Sequence, residues 1–376
     1  MANIINIKKF IDVSTSVSST PLGRRDFRNI LFVQKGEDDA STVVSSYTDL
    51  DSLIIAEGSN SAAAKMATIF WGGGFNGVKP SSTVYVATVG ASTQTEFMEG
   101  FSSLLAAGDY YMIALDNELV SYAAVAASAN EAATIPHYLF LLDTSSDAIN
   151  KDNSQDSSSI TAYLFNNNLT RAAAFWTDVA KADQYPNVAA ASFFAVSRIT
   201  ASSPLGNLAY KIIPGVEAVA FTAATVEVNE AWENLASKNG NAYITLGETG
   251  RVCFQTGTCG SGDNIDEYIA ADFLNYTITY NVYDLLTSVH KLPMNINGAK
   301  RLYNVISAAF DRLNAAGVIG GGVSQDGEAF GDSGYKISIP TPTGTNKATG
   351  LWDSIVCSAL LTGSCKKVVI GNNLKK

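Results

Sequence analysis

The stretch TVYVATVGASTQTEFMEGFSSLLAAGDYYMIAL, residues 83–115, decides the fold class. Thr83–Val89 is a short run of β-branched and aromatic residues closed by a glycine, which marks a strand, and Tyr110–Leu115 is a second one. Gln94–Ala107 between them carries a helical pattern. Strand, helix and strand joined by short Gly and Asp turns is the unit of a mainly parallel sheet with crossover helices.

The same alternation extends in both directions. Upstream lie the strand Phe27–Gln34 and a helix at Ser61–Trp71. Downstream come a helix at Glu118–Asn130 and a strand at His137–Leu142. The polar run Asp143–Ser159 reads as an exposed loop. The pattern resumes with a strand at Arg171–Thr177 and a helix at Asn187–Ile199, then the breakers Ser202, Ser203, Pro204 and Gly206.

A second α/β stretch follows, with a helix at Thr225–Lys238, Gly240 in the left-handed position that ends it, and strands at Ala242–Leu246 and Arg251–Gln255. In Ile265–His290, Ile269, Phe273, Tyr276, Tyr280 and Tyr283 recur at steps of three and four. Leu302, Val305, Ile306, Ala309 and Leu313 do so in the next helix, which ends at Gly317. Helical patterning is lost after Gly320-Gly-Gly322.

The two chain ends read differently from this body. Ile5–Val17 alternates apolar and polar residues with no hairpin partner beside it, and Lys367–Ile370 is a short strand candidate in a basic tail. The expected organisation is therefore an α/β body with mixed sheets flanked by helices and carrying extended arms. Residues 1–24 form an N-terminal arm, 25–205 an N-terminal α/β region that takes any outer insertion, 206–340 a C-terminal α/β region, and 341–376 a C-terminal arm.

Composition narrows the function. The chain has 376 residues and a net charge of −10, with a pI near 4.7. That charge repels a phosphate backbone, so nucleic acid is not an expected partner. Apolar runs are far shorter than the ~20 residues of a membrane-spanning helix, so no membrane insertion is expected. Lys8 and Lys9 follow the apolar residues of the N-terminus, the wrong order for a secretory signal. Only 16% of residues are charged, against about 25% in an average soluble protein. A surface this poor in charge suits one covered by partners, because interface cores are depleted of Lys, Glu and Asp.

No residue set points to catalysis, a cofactor or a metal. Gly72, Gly74 and Gly77 match the spacing of a dinucleotide loop, but a helix precedes them and a strand follows, the reverse of what phosphate binding needs. They read as a helix-ending turn. His137 and His290 lack neighbours that would make a catalytic or metal set. Asp152, Ser154 and Asp156 begin like a calcium loop, but Ser157 and Tyr163 stand where Gly and Glu are required. Asp263, Asp266 and Glu267 read as favourable charge in a first helical turn. Cys253, Cys259, Cys357 and Cys365 lack metal spacing and read as free thiols, with a crosslink between subunits as the alternative.

The order of motifs from Leu208 to Gly320 is more specific. Lys211-Ile-Ile-Pro-Gly-Val216, the helix with Ala231 and Leu235, Lys238-Asn-Gly-Asn-Ala-Tyr243, Gly247 and Asp263-Asn-Ile-Asp-Glu-Tyr268 occur in series. Phe273-Leu274, the helix through Val282 and Leu285-Leu286, Lys291-Leu-Pro293 and a closing helix from Gly298 to Gly317 follow. This series resembles the sheath proteins of contractile bacteriophage tails. The N-terminal half resembles them more loosely, through Phe27–Gln34, the Tyr47-Thr-Asp-Leu50 turn, the helix to Trp71 and the strand Val84–Val89. Asp272-Phe-Leu274 stands where an Asp-Trp-Leu is expected.

The resemblance implies a structural subunit rather than an enzyme, needing no cofactor. Its partners would be further copies of itself in hexameric, helically stacked rings, a tail tube protein, and baseplate and tail terminator proteins. It implies a place in the virion tail after assembly in the bacterial cytoplasm, and contraction that drives the tube through the host envelope. The arms would add strands to neighbouring subunits through Ile5, Ile7, Val13, Thr15, Val17, Val368, Val369 and Ile370. The alternatives are the sheath of a phage-derived contractile injection system and, further off, a soluble α/β enzyme binding a nucleotide.

Overall fold

The computed structural model describes residues 25–36, 42–247 and 250–363. Its centre is an eight-stranded sheet built from β1 (Ile30–Lys35), β2 (Val44–Tyr47), β3 (Val84–Val89), β4 (Met112–Leu115), β5 (Tyr138–Asp143), β6 (Ala172–Trp176), β7 (Asn241–Leu246) and β8 (Arg251–Phe254). The order is β2-β3-β1-β4-β5-β6-β7-β8. The six inner strands run parallel, and β2 and β8 close the two edges antiparallel. This is a mixed α/β fold, and the one sheet continues across the boundary expected near residue 205.

The inner strands are apolar on both faces, as a parallel sheet covered on both sides requires. In β1, Ile30 and Phe32 point to one layer while Leu31 and Val33 point to the other, and β5 repeats this with Tyr138 and Phe140 against Leu139 and Leu141. The Leu31 side packs on α3 (Gln94–Leu105), α4 (Ala123–Glu131) and α6 (Ile160–Asn166). On the Ile30 side lie α2 (Ala62–Gly72), preceded by α1 (Leu50–Glu57), and α7 (Pro186–Ala195). The long pair α9 (Ile265–Ser288) and α10 (Ile296–Ala315) completes that layer. A smaller core under α8 (Val228–Ala236) joins Trp176, Phe221 and Leu235 to Ala148 and Ile149 of the one-turn α5 (Asp147–Asn150).

Four readings of the sequence are corrected. The run 143–159 is not simply an exposed loop: Ala148 and Ile149, its two central apolar residues, are buried and fold it into α5. Asn239 takes the left-handed conformation after α8, with φ +60°. Gly240 is required for space instead, since a Cβ there would lie 2.4 Å from Leu235 Cδ1. Around the Tyr47–Leu50 turn stand two further elements, β2 and α1, the latter capped by the Asp49 side chain, which accepts from the Ser52 N–H. The chain after Gly320 also has structure: β9 (Gly322–Val323), β10 (Ala329–Phe330), β11 (Tyr335–Ser338), α11 (Gly344–Thr349) and β12 (Val356–Ala359).

The glycine turn matches its reading. Gly73 caps α2, Gly74 has φ +95°, and a Cβ on Gly74 would sit 2.1 Å from the Val78 carbonyl oxygen. The Gly74 N–H donates to Ser192 Oγ at 2.9 Å. No described helix is long and apolar enough to cross a membrane.

Candidate assembly interface

The α9–α10 pair is set by its sequence. Asp266 and Glu267 lie in the first turn of α9, where negative charge meets the helix dipole. Glu267 accepts from Asn264 Nδ2 and Asp266 from Asn207 Nδ2, so these two carboxylates tie the residues before the helix to its first turn. Pro293 breaks the chain between the helices. Asn295 caps α10 by accepting from the Asn297 and Gly298 N–H groups. Gly298 must be a glycine, because a Cβ would lie 1.8 Å from the Pro293 carbonyl oxygen.

Two buried polar clusters fasten this pair to the sheet. Asp272 on α9 is buried, and Arg171, at the start of β6, donates to it twice, at 2.9 and 2.7 Å. Tyr111 beside β4 donates its hydroxyl to the same carboxylate at 2.9 Å. Burial pushes the Tyr111 hydroxyl well above its ordinary pKa, aided by Asp272, so it stays a donor. A bidentate, charge-assisted pair of this kind fixes orientation as well as distance.

The second cluster surrounds Arg25, the first described residue. Its backbone N–H donates to the Tyr276 hydroxyl on α9. Its guanidinium donates to the carbonyls of Tyr110 and Pro136 and, at 2.8 Å, to Nδ1 of His137. With Nδ1 accepting, Nε2 carries the proton toward the Leu105 carbonyl at 3.2 Å. Burial, then the Arg25 charge, hold His137 well below the usual histidine pKa. Burial also lowers Arg25 to about 10. His137 is thus a satisfied core residue, while His290 is exposed.

Beyond α10 the chain makes a small sheet. β11 and β12 pair antiparallel, Tyr335 opposite Ala359 and Ser338 opposite Val356. Tyr335 stacks on Phe310 of α10 at 4.9 Å and donates its hydroxyl to Asp311 at 2.7 Å. Among the described residues this sheet has only two strands, so its outer edges carry unpaired backbone groups, a template for a further strand. Thr362 closes onto the end of α10, its hydroxyl donating to the Gly317 carbonyl at 2.7 Å. Both described ends, Arg25 and Gly363, therefore leave the body beside α9 and α10.

The arm residues Ile5, Ile7, Val13, Thr15, Val17, Val368, Val369 and Ile370 lie outside the described residues, as does Cys365. Cys253 and Cys259 are buried thiols whose pKa burial raises, and Cys357 is exposed on β12. Asp152 serves its own turn, accepting from Ser154 and Gln155. Asp156 pairs with Lys238 at 3.0 Å, both side chains fully buried. Burial works to raise Asp156, but hydrogen bonds from Ser159, from the N–H groups of Ser158 and Ser159 and from Lys238 outweigh it and hold it below the ordinary carboxylate range. Among the described residues no group of His, Cys, Asp or Glu is arranged to hold a metal. The two-stranded sheet escaped the sequence reading, although Tyr335, Ile337 and Ile339 alternating with Lys336 and Ser338 carry a strand's period. The Asp156–Lys238 pair gave no signal, its partners lying far apart in the chain.

The match to a known family falls on this region. The family model described as "E217 tail sheath protein gp31-like, C-terminal domain" matches residues 265–371, from the start of α9 through β12. No curated protein matches the sequence. A chain of the anti-feeding prophage baseplate in its contracted state, solved by cryo-electron microscopy, is similar in fold, with a TM-score of 0.59 and 14% identity. That match covers 97% of this chain and 98% of the other. A chain of the six-fold symmetrised baseplate of the same particle gives 0.61 and 13%, over 97% and 99%. At such identity the likeness is one of fold, and it spans nearly the whole chain. Residues 265–371 are thus similar to the C-terminal domain of a tail sheath protein, and the chain as a whole shares its fold with components of a contractile particle.

Proposed function

We propose that this chain is a structural subunit of a contractile tail sheath. It polymerises around a tail tube and contracts to drive that tube through an envelope. The observation that carries this reading is the open two-stranded sheet β11–β12 inside the sheath-like segment, with both described chain ends leaving beside α9 and α10. Residues 1–24 and 364–376 act as ties, adding strands such as Ile5–Val17 and Lys367–Ile370 to the small sheet of a neighbour. Main-chain hydrogen bonds supply such joints without requiring a matched side-chain surface.

The working cycle is a change of packing. Rigid α/β bodies rotate against one another while the ties keep them joined, and the extended form is a trapped state of higher free energy. No nucleotide enters this scheme. Hexameric rings, a tail tube protein, baseplate and terminator proteins, and a place in the virion tail after assembly in the host cytoplasm belong to the same reading. The likeness to chains of the anti-feeding prophage particle favours one second reading, a sheath or baseplate component of a phage-derived injection machine.

The ties are tested by deleting residues 1–20. The truncated chain is expected to stay folded and monomeric by circular dichroism and sedimentation, with no tubes in negative-stain electron microscopy. Full-length tubes from the truncated chain would remove the arm from the mechanism.

A further inference from the structure

A cleft of about 500 Å³ opens between the segment before β1, the 197–199 corner, α9 and α10. It concentrates positive charge on a chain whose net charge is −10. Four arginines line it against two aspartates, and one of those aspartates, Asp26, is consumed by Arg28 in a bidentate pair. The guanidinium groups of Arg25, Arg198 and Arg312 form no ion pair among the described residues. Arg25 and Arg312 instead donate to backbone carbonyls, and Arg312 lies over the Phe273 ring at 4.5 Å. Both are therefore held in place without a direct ion pair, Arg25 feeling the Asp272 carboxylate only at longer range, and Arg198 is exposed. Tyr276 and Tyr280, their rings tilted at 43° with centroids 4.8 Å apart, form an aromatic wall. Fixed cations beside aromatic faces suit a carboxylate-bearing segment with some apolar surface.

The same chain offers such a segment. Glu227 at the N-cap of α8 and Glu230 and Glu233 within it recur at steps of three and are exposed, while Ala231 and Leu235 on the other side of the helix are buried. None of the three forms an ion pair among the described residues. Val228, 57% exposed, lies among them. Three other exposed carboxylates are already engaged, Asp183 with Lys65, Glu217 with Lys181 and Glu328 with Lys336. Exposed ones without an ion pair among the described residues, such as Asp51, Glu99 and Glu118, do not recur along one helix face. The stripe cannot meet the cleft of its own chain. α8 packs on α5, just past the end of β5, whereas the cleft lies before the start of β1, at the other end of the parallel strands.

We propose that the basic cleft of one copy takes the Glu227–Glu230–Glu233 stripe of the next. A contact between two different patches is head-to-tail and propagates into rings or helices instead of closing as a dimer. This contact rests on the sheath reading, and adds to the strand ties a second, salt-sensitive joint between bodies.

The test is a charge-reversal cycle on the full-length chain, read as the concentration at which half the protein is assembled by sedimentation. Arg198→Glu and the pair Glu230→Arg/Glu233→Arg are each expected to raise that concentration about tenfold or more at low salt. Combining all three in one chain restores assembly, and Arg198→Lys retains it. All these sites are exposed, and unchanged thermal midpoints exclude misfolding. A wild type that assembles while Arg198→Glu assembles equally well, or a combined variant that is not rescued, overturns the contact and leaves the sheath reading standing. A wild type that never associates overturns both. Stabilisation of the wild type by inorganic phosphate, lost in Arg198→Glu without any effect on assembly, would make the cleft a small-anion site and also overturn the contact.

Discussion

Asp272 is the side chain on which the attachment of α9 to the sheet turns. Fully buried and held by Arg171 and Tyr111, it cannot be removed without leaving a guanidinium uncompensated in the interior. Asp272→Ala is therefore expected to destabilise the fold by about 3–5 kcal/mol in denaturant titrations, as for other broken buried pairs. A loss under 1 kcal/mol would mean that solvent or another acid replaces it. His137 makes a second residue-scale prediction. Its folded pKa is depressed, by burial first and by Arg25 second, while Tyr110 packs against its ring. The unfolded chain therefore takes up a proton near pH 6.5 that the folded chain does not, and stability falls as pH drops below that value. The slope contributed is up to about 1.4 kcal/mol per pH unit. His137→Gln, whose side chain can still accept from Arg25, should flatten the dependence between about pH 6.5 and 5. An unchanged slope would assign it to other groups.

At the scale of elements, the open edge of β12 is the feature that matters for assembly. The Leu360 N–H donates to the Gly334 carbonyl, so by strand alternation the N–H groups of Cys357 and Ala359 point away from β11. Cys357→Pro removes one outward donor and no bond of the existing ladder. It should leave the thermal midpoint of the monomer within a few degrees of wild type and block tube formation; normal tubes would place the added strand on another edge. The larger elements were legible in the sequence. Phe27–Gln34, Thr83–Val89, Ile265–His290 and the helix ending at Gly317 come within a few residues of β1, β3, α9 and α10, because each carries either a buried apolar run or a sustained helical stripe. β11 and β12 were not: β11 alternates over Tyr335–Ile339, but so short an alternation between Gly and Pro turns does not stand out, and Val356–Ala359 does not alternate at all. The basic cleft was equally hidden: Arg25, Arg198 and Arg312 come from three distant parts of the chain, and only the packing of α9 and α10 brings them together.

The whole molecule is an eight-stranded α/β body with its sheath-like segment, its open small sheet and both described chain ends gathered at α9 and α10. The low charge fraction fits that arrangement, since surfaces that neighbours cover do not need to stay wet. The likeness to a sheath protein was legible because the motifs keep their order even where single residues depart, as at Phe273, and the family match covers those from residue 265 onward. The arms Ile5–Val17 and Lys367–Ile370 were legible only as extended segments lacking a local partner, because their proposed partners belong to other copies. If assembly is intrinsic to the chain, concentration alone should reveal it. The most direct measurement is negative-stain electron microscopy of the concentrated, intact protein. Hollow tubes of uniform diameter are the predicted result, and a population that stays monomeric at high concentration, with and without a tail tube protein, would contradict the account.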